Sequence, residues 1–456
     1  MMADVDTAVM WKKWMGALQQ QLFPNGLGKN TTFSAGSTAN YVNINDSNPG
    51  VTNYSIYNIG NVVPDNSPDY APATSGLIQS FGIFLDYIDL GGDTNPNLES
   101  QINIATSTFN DSSRAYQDNQ IKAFTDYAAF KSASEGAGRE PVAYDTWVVN
   151  SYPALASSRS QMVGDQSTLD GLNIQRYGEG YTQIQAARAA IGFGDGGAQS
   201  MQAQNPNNMK IATGSLPPPG SKQVLIGDLP ASATSSLVDS FAPSYNLDSS
   251  YNAKYAEWQT ASLQGAIGST VELTASSSDS SYDNSGWAAS ASASWRGWFR
   301  SASGSALASG QTVDIDTSST DFNMKVDFVG LAEFSIGPGL WWQGSLVADF
   351  KNSLKPGAPD FFSDAGSLSR RASKIVLGFQ PTVTIKMSAA DYSRLKTSWQ
   401  AEATVSGSFG PFSFGASSSA YANSDDIHYD DASASITVGP IKSTMPVLLG
   451  VISSKL

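Results

Sequence analysis

The sequence contains no cysteine and only one histidine among its 456 residues. A disulfide framework, a cysteine-ligated zinc or iron–sulfur site and a cysteine nucleophile are therefore excluded. Any chemistry that needs an imidazole must use His428. Positive charge is also scarce, with 26 lysines and arginines against 40 aspartates and glutamates and a net charge of -14. Because phosphate backbones are bound by clustered cations, nucleic acid is not an expected partner.

Long apolar runs are lacking too, and we do not expect the first residues to act as a secretory leader. The N-terminal stretch has acidic residues first and Lys12 and Lys13 near its middle, unlike a signal peptide. No run reaches the roughly 18 apolar residues that a membrane-spanning helix needs. We therefore expect an intracellular protein that is soluble when made. The final residues, Ser454, Lys455 and Leu456, match a peroxisomal address, which would apply if the source is eukaryotic.

The first helix is predicted over residues 4–23, where apolar side chains recur every three or four residues. The recurring residues are Trp11, Met15, Leu18 and Leu22. This stripe fits docking on a membrane surface or packing on the body of the protein, and we favour packing. Residues 25–75 are rich in Asn, Gly, Pro and Ser, a composition that predicts an extended, loop-rich wrap.

Residues 97–192 carry the strongest helical pattern and predict two long helices joined by a short break. In the first helix, spacings of three and four mark a coiled-coil seam: Ile102, Ala105, Phe109, Ser112, Tyr116, Asn119 and Ala123. The second helix is predicted to reach about residue 191, with interruptions at Pro153 and at glycines, through a looser series: Met162, Leu169, Tyr177, Tyr181, Ile184 and Ala187. Two such helices predict an antiparallel hairpin. Because its seam is half small or polar, the hairpin should pack on the body or on another copy.

The last zone alternates apolar and polar residues with the period of two that predicts β-strands. One strand face is predicted to carry Ile375, Leu377, Phe379, Val383, Ile385 and Met387. The sequence therefore predicts an α+β fold, with N-terminal helices and the long hairpin followed by a C-terminal antiparallel β-sandwich or open barrel. The predicted segments are 1–96 (N-terminal helix and wrap), 97–200 (hairpin), 201–263 (Pro/Gly linker and short helix) and 264–456 (β domain).

The densest polar cluster is the acidic segment, Asp425–Asp431. On a strand, Asp426, His428 and Asp430 would point to one side and could ligate a divalent cation. The alternative, which we favour, is a solvated acidic hairpin whose charges keep a sheet edge from pairing. A structural divalent cation is the only cofactor that the sequence suggests.

Aromatic and carboxylate side chains of the β zone suggest a further class of sites. Four tryptophans crowd two β segments: Trp295, Trp298, Trp341 and Trp342. Exposed rings of this kind stack on sugars or lie at a membrane interface, whereas core packing is the interpretation that we favour. Three glutamates in or beside predicted strands are the first candidates for acid–base chemistry: Glu272, Glu333 and Glu402.

Two segments, 269–296 and 412–438, predict hairpins of short apolar and hydroxyl side chains with few charges. Strands of this kind either join subunits at unprotected edges or, as in β-barrel pores, face lipid on one side. We expect a non-enzymatic, self-associating homo-oligomer that assembles through the helical hairpin and the Ser/Ala-rich strands. The alternatives are a pore-forming or membrane-active protein that binds lipid, and a glycan-binding or carboxylate-dependent enzyme of the β domain.

Overall fold

The computed structural model describes residues 3–44, 49–64, 76–92, 95–191, 208–213, 238–277, 298–303, 306–400, 407–414 and 427–456. It is an α+β fold with helices and an eight-stranded antiparallel sheet, as the sequence predicts. Two compact units can be distinguished. The first contains Met1–Asp86, Ala190–Ala348 and Gly357–Leu456, and the second contains Tyr87–Ala189 and Asp349–Pro356.

The helices and strands have the following bounds. The helices are α1 (Ala3–Leu22), α2 (Pro49–Gly60), α3 (Leu77–Tyr87), α4 (Pro96–Gly136), α5 (Tyr144–Ser151), α6 (Pro153–Tyr177), α7 (Glu179–Ile191), α8 (Tyr251–Leu263), α9 (Gly344–Phe350) and α10 (Ala389–Gln400). The strands are β1 (Thr31–Tyr41), β2 (Asn208–Thr213), β3 (Val238–Pro243), β4 (Tyr245–Leu247), β5 (Ser269–Thr274), β6 (Phe299–Ser303), β7 (Ala306–Thr312), β8 (Asn323–Pro338), β9 (Arg370–Lys386), β10 (Gly407–Phe409), β11 (Phe412–Phe414), β12 (Ile427–Asp430), β13 (Ser435–Val438) and β14 (Val447–Lys455).

The eight-stranded sheet is built around two long strands, β8 and β9, which pair with each other. One edge of β9 holds β14 along its first half and β13 along its second half. Outside these lie β1, paired with β14, and β12, paired with β13. The edge of β8 that faces away from β9 pairs with β4 and β5. Four shorter strands form a second sheet in the order β11-β10-β6-β7, and β2 pairs with β3.

The main core lies between the eight-stranded sheet, the four-stranded sheet, α1 and α10. Helix α1 contributes Trp11, Trp14 and Leu18, which are 2%, 0% and 0% exposed. The stripe predicted on this helix is therefore packed on the body of the protein. Trp298, just before β6, meets Trp11 edge-on with ring centroids 4.7 Å apart, a favourable aromatic geometry.

The prediction that six apolar residues of β9 share one face is wrong. The strand turns over along its length, so different residues face the main core in its two halves. Val383 and Ile385 lie in the main core, but Phe379 packs on the other side against Trp258 of α8, with centroids 6.0 Å apart. The change coincides with Gln380, whose φ of 45° is a left-handed conformation rare for a residue with a side chain.

The structure differs from the predictions in two further segments. Residues 25–75 include strand β1 and helix α2 rather than only an extended wrap, and α2 buries Val51 and Ile56. Strand β5 pairs with β8, whereas residues 287–295, its predicted hairpin partner, lie outside the described ranges. Its partner therefore comes from a strand about 50 residues away, a separation typical of long-range sheet pairing.

The second unit contains the predicted antiparallel helical hairpin, formed by α4 and α6 with α5 at the turn. A 3.7 Å ion pair joins Glu99 near the start of α4 to Arg176 at the end of α6, as the antiparallel direction requires. At the other end, the ring of Tyr127 lies 5.5 Å from that of Trp147. The predicted seam of α4 is confirmed by its buried residues: Ile102, Ala105, Ser112 and Ala123.

Candidate functional site

Within the acidic segment, residues 427–430 form the edge strand β12 and Asp431 begins the turn after it. β12 pairs only with β13 among the described strands, and the turn follows it at 431–434. His428 and Asp430 alternate with the buried Ile427 and are exposed. Because alternate residues of a strand share a side, the predicted relation between His428 and Asp430 is present. Asp426 lies outside the described residues.

Asp430 stabilises the turn that follows it. One carboxylate oxygen accepts bonds from the backbone N–H groups of Ala432 at 2.9 Å and Ser433 at 3.3 Å. The other accepts from the Ser433 hydroxyl at 2.6 Å, and these bonds lower the pKa of Asp430. In the ranges that the structure describes, no three His, Asp or Glu side chains are grouped to hold a metal ion. The divalent cation therefore stays a prediction.

Asp431 forms a cluster with α10 that the sequence did not suggest. Its Oδ1 accepts bonds from Lys396 Nζ at 2.6 Å and from the Tyr392 hydroxyl at 2.5 Å. The Lys396 ammonium also lies 5.5 Å from the ring centroids of Tyr392 and Tyr429, a cation–π distance. The only local signal for this arrangement was the spacing of Tyr392 and Lys396, which places them one turn apart on the same helix face.

Every shifted pKa in this cluster moves further from pH 7. Bonding to Lys396 and Tyr392 lowers the pKa of Asp431, and bonding to Asp431 raises the pKa of Lys396. Burial raises the pKa of Tyr392, and it raises that of Tyr429 to about 12. A general acid or base needs a pKa near the working pH. These four residues therefore have the properties of an anchor between α10 and the edge hairpin rather than of an acid–base pair.

The candidate glutamates have partners on neighbouring strands. Glu272 accepts a bond from Asn323 Nδ2 at 2.5 Å, and Glu333 is paired with Lys374 Nζ at 2.5 Å. Glu402 lies outside the described residues. Glu272 is therefore bonded to an amide and Glu333 to an ammonium group of the adjacent strand, and a role in acid–base chemistry stays a prediction for both.

The four tryptophans lie in different environments. Trp298 and Trp341 are 3% and 0% exposed, and Trp341 Nε1 donates to the Ser244 carbonyl at 2.8 Å. These two side chains pack in the interior, as we favoured. Stacking on a sugar needs an accessible ring face, which neither has in this structure. Trp342 is half-buried, with its ring 4.6 Å from that of Phe81, and its role as a contact residue stays a prediction. Trp295 lies outside the described residues.

The C-terminal tripeptide is held at the end of β14. Ser454 pairs with Thr31 on one side and with Arg371 on the other. The backbone N–H of Lys455 donates to Asn30 and that of Leu456 to Ser369, both at 3.0 Å. The Lys455 ammonium lies 3.2 Å from Asp364. A receptor that reads these residues as an extended tail would have to bind them unpaired.

The helical hairpin presents the clearest candidate surface for a partner. Helix α6 has 25 residues and no buried one, and α4 has 41 residues of which five are buried. Large apolar side chains therefore remain exposed on the hairpin: Ile104 (65%), Ile121 (66%), Phe124 (58%), Val149 (77%), Val163 (53%) and Ile174 (43%). We call these six residues the exposed hairpin residues.

The seam of the hairpin also holds polar groups at positions where apolar side chains would add stability. Asp165 lies between Met162 and Leu169 on α6, and its Oδ2 is buried without a hydrogen-bond partner among the described residues. Gln161 donates to the other oxygen at 3.0 Å. A buried, unpaired acceptor destabilises a helix pair, so the hairpin has a weak core of its own.

None of the described helices is long and apolar enough to cross a membrane. No protein-family model, no curated protein and no solved structure matches the chain.

Proposed function

We propose that this protein is a non-enzymatic, self-associating structural protein whose copies assemble through the helical hairpin and the Ser/Ala-rich strands. Two observations together support the proposal. The seam between α4 and α6 buries few side chains and is partly polar, and the six exposed hairpin residues lie outside it. Contiguous apolar patches are typical of surfaces that a partner covers, and in this proposal the six residues contribute to such a patch. A second copy supplies such a partner without any further component.

Strand β7, which lies between the two Ser/Ala-rich segments in the sequence and shares their lack of charge, supplies a second surface in this proposal. β7 lies at the end of the four-stranded sheet, and its outer edge pairs with no other described strand. Its sequence, ALASGQT, has no charged residue or proline. Edges without such protection are open to pairing with another chain.

Light scattering across a range of concentrations, together with negative-stain microscopy, tests the proposal. We expect defined oligomers, and we expect Ile121→Ser combined with Val163→Ser and Ile174→Ser to lower the average mass. The matched control is Leu263→Ser combined with Leu340→Ser, because these side chains are 90% and 86% exposed but lie outside the hairpin. A strict monomer at high protein concentration, or equal effects of both sets, would contradict assembly through the hairpin.

The membrane-active alternative requires segments 269–296 and 412–438 to leave their present partners. β5 would have to separate from β8, and β13 from β9. Dye release from anionic and neutral liposomes is expected for that alternative and not for the assembly. Loss of glycan binding in Trp342→Ala, measured on a glycan array, would favour the third function.

The peroxisomal address is a separate proposal and applies only in a eukaryotic cell. The tripeptide would be read before β14 pairs with β1 and β9. A fluorescent reporter that ends in residues 445–456 should then reach peroxisomes, whereas Lys455→Glu in the same reporter should not. A cytosolic distribution of both reporters would count against the address.

A further inference from the structure

Helix α4 carries a regular pattern of charges on its exposed side. Arg114, Asp118, Lys122 and Asp126 follow one another at intervals of four, so the signs alternate along one strip of the helix. All four residues are exposed. Arg114 has a 3.7 Å contact with Asp111. In the described part of the chain, no ion pair joins the other three to any residue.

This pattern complements itself when the helix is reversed. If two copies of α4 run antiparallel and are centred at the level of residue 120, Asp118 faces Lys122 of the second copy. Arg114 then faces Asp126 of the second copy, and the two-fold axis repeats both pairs. A parallel copy in the same register would instead place like charges together. Charge patterns of this kind determine partner and direction in paired helices.

The side chains near this centre suit a close helix contact. Ile121 is 66% exposed and lies one residue from the axis, so the two copies of it would approach each other. Ala115 and Ala129 are exposed small residues on the same outer side of the helix. Small side chains let two helices approach closely. Apolar contact at the two-fold axis supplies attraction that surface ion pairs alone do not.

We infer that α4 forms the two-fold contact of the assembly, packing antiparallel on α4 of a second copy with its centre at residue 120. The inference rests on the proposed self-association and names the partner of the hairpin. A second copy is favoured over an unrelated protein because both halves of the charge pattern are present on this one helix.

Charge exchange tests this register in the full-length protein. Asp118→Lys and Lys122→Asp each replace two attractive pairs of the dimer by two repulsive pairs, so each should weaken dimerisation by about tenfold at low salt. The double variant restores both pairs and should recover dimerisation. An equimolar mixture of the two single variants should form the heterodimer. In that heterodimer, positions 118 and 122 are both lysine in one copy and both aspartate in the other, so every facing pair is attractive.

The control is Lys131→Asp, which lies on α4 outside the paired strip and should leave dimerisation unchanged. Circular dichroism verifies that every variant keeps its helices, and the differences should shrink at high salt because ions screen exposed charges. Equal association of all variants would overturn the α4 contact while leaving self-association intact. A monomeric wild type would overturn the proposed function and this inference with it.

Discussion

A Cβ atom on Gly330 would lie 2.2 Å from Cε2 of Trp258, so the indole of α8 rests directly on the backbone of β8. The same ring stacks on Phe379 of the neighbouring strand. Gly330→Ala must therefore move a packed aromatic side chain. We expect the free energy of unfolding, measured with urea, to fall by about 1–3 kcal/mol.

The matched control for Gly330 is Gly82 in α3, where a Cβ would meet nothing within 4 Å. Gly82→Ala should leave stability unchanged or raise it by up to about 1 kcal/mol, because alanine favours helix. Equal effects of the two substitutions would show that Trp258 does not rest on Gly330.

Trp14 tests whether α1 belongs to the core. Its side chain is 0% exposed and meets Phe412 edge-on with ring centroids 5.9 Å apart. Trp14→Ala should lower the free energy of unfolding by about 3–5 kcal/mol because it leaves a large cavity. Gln20→Ala on the exposed side of the same helix is the control, and urea unfolding should show little change for it. Full stability of Trp14→Ala would mean that α1 is detached in solution.

Tyr429 gives a prediction about alkaline pH. Burial raises the pKa of its phenol to about 12, above the unfolded value of about 10. The stabilisation that folding gains from keeping this phenol protonated is therefore fully present below pH ~10, and it is lost as pH rises through about 12. Tyr429→Phe removes this titration and should lose less stability than the wild type between about pH 9 and 11.

The two tyrosines of the anchor should behave differently at neutral pH. The Tyr429 hydroxyl is buried without a hydrogen-bond partner among the described residues, so its removal should be neutral or stabilising. Tyr392→Phe deletes the bond to Asp431 and should destabilise. Urea unfolding at neutral pH distinguishes them, and a destabilised Tyr429→Phe would contradict the unpaired hydroxyl.

Asp165 tests the weakness of the hairpin seam. Asp165→Leu removes a buried, unpaired oxygen and joins Met162 to Leu169 in a continuous apolar row. The thermal transition of the helices, followed by circular dichroism, should move upward by an amount equivalent to about 1–3 kcal/mol. Gln166→Leu, on the exposed side of α6, should not produce this change. A lower transition for Asp165→Leu would mean that Asp165 has a partner in solution.

Patterns confined to one element were sufficient to predict much of this fold. The seam of α4 was correct because the three-and-four spacing of Ile102, Ala105 and Ser112 is a property of the helix itself. Helix α2 was missed, although Pro49 at its first position and the spacing of Ile56 and Ile59 are signals for a helix. The polar composition around these residues concealed that pattern.

Contacts between distant elements could not be predicted in this way. Nothing near Ser269–Thr274 indicates that β8 is its partner, since pairing in a sheet depends on the whole topology. The change of face in β9 coincides with the left-handed conformation of Gln380, which composition does not signal. The anchor at Asp431 needs Tyr392, 39 residues earlier, to be brought beside it by the fold.

The position of β14 has a consequence for synthesis on the ribosome. This strand lies between β1 and β9 and follows every other described strand in the sequence. β1 emerges early but cannot form its pairing until residues 447–455 have left the exit tunnel. Phe33, whose ring lies against Gly450, therefore lacks the cover of β14 until that strand has been made, a period in which binding by chaperones would protect the exposed segment from aggregation.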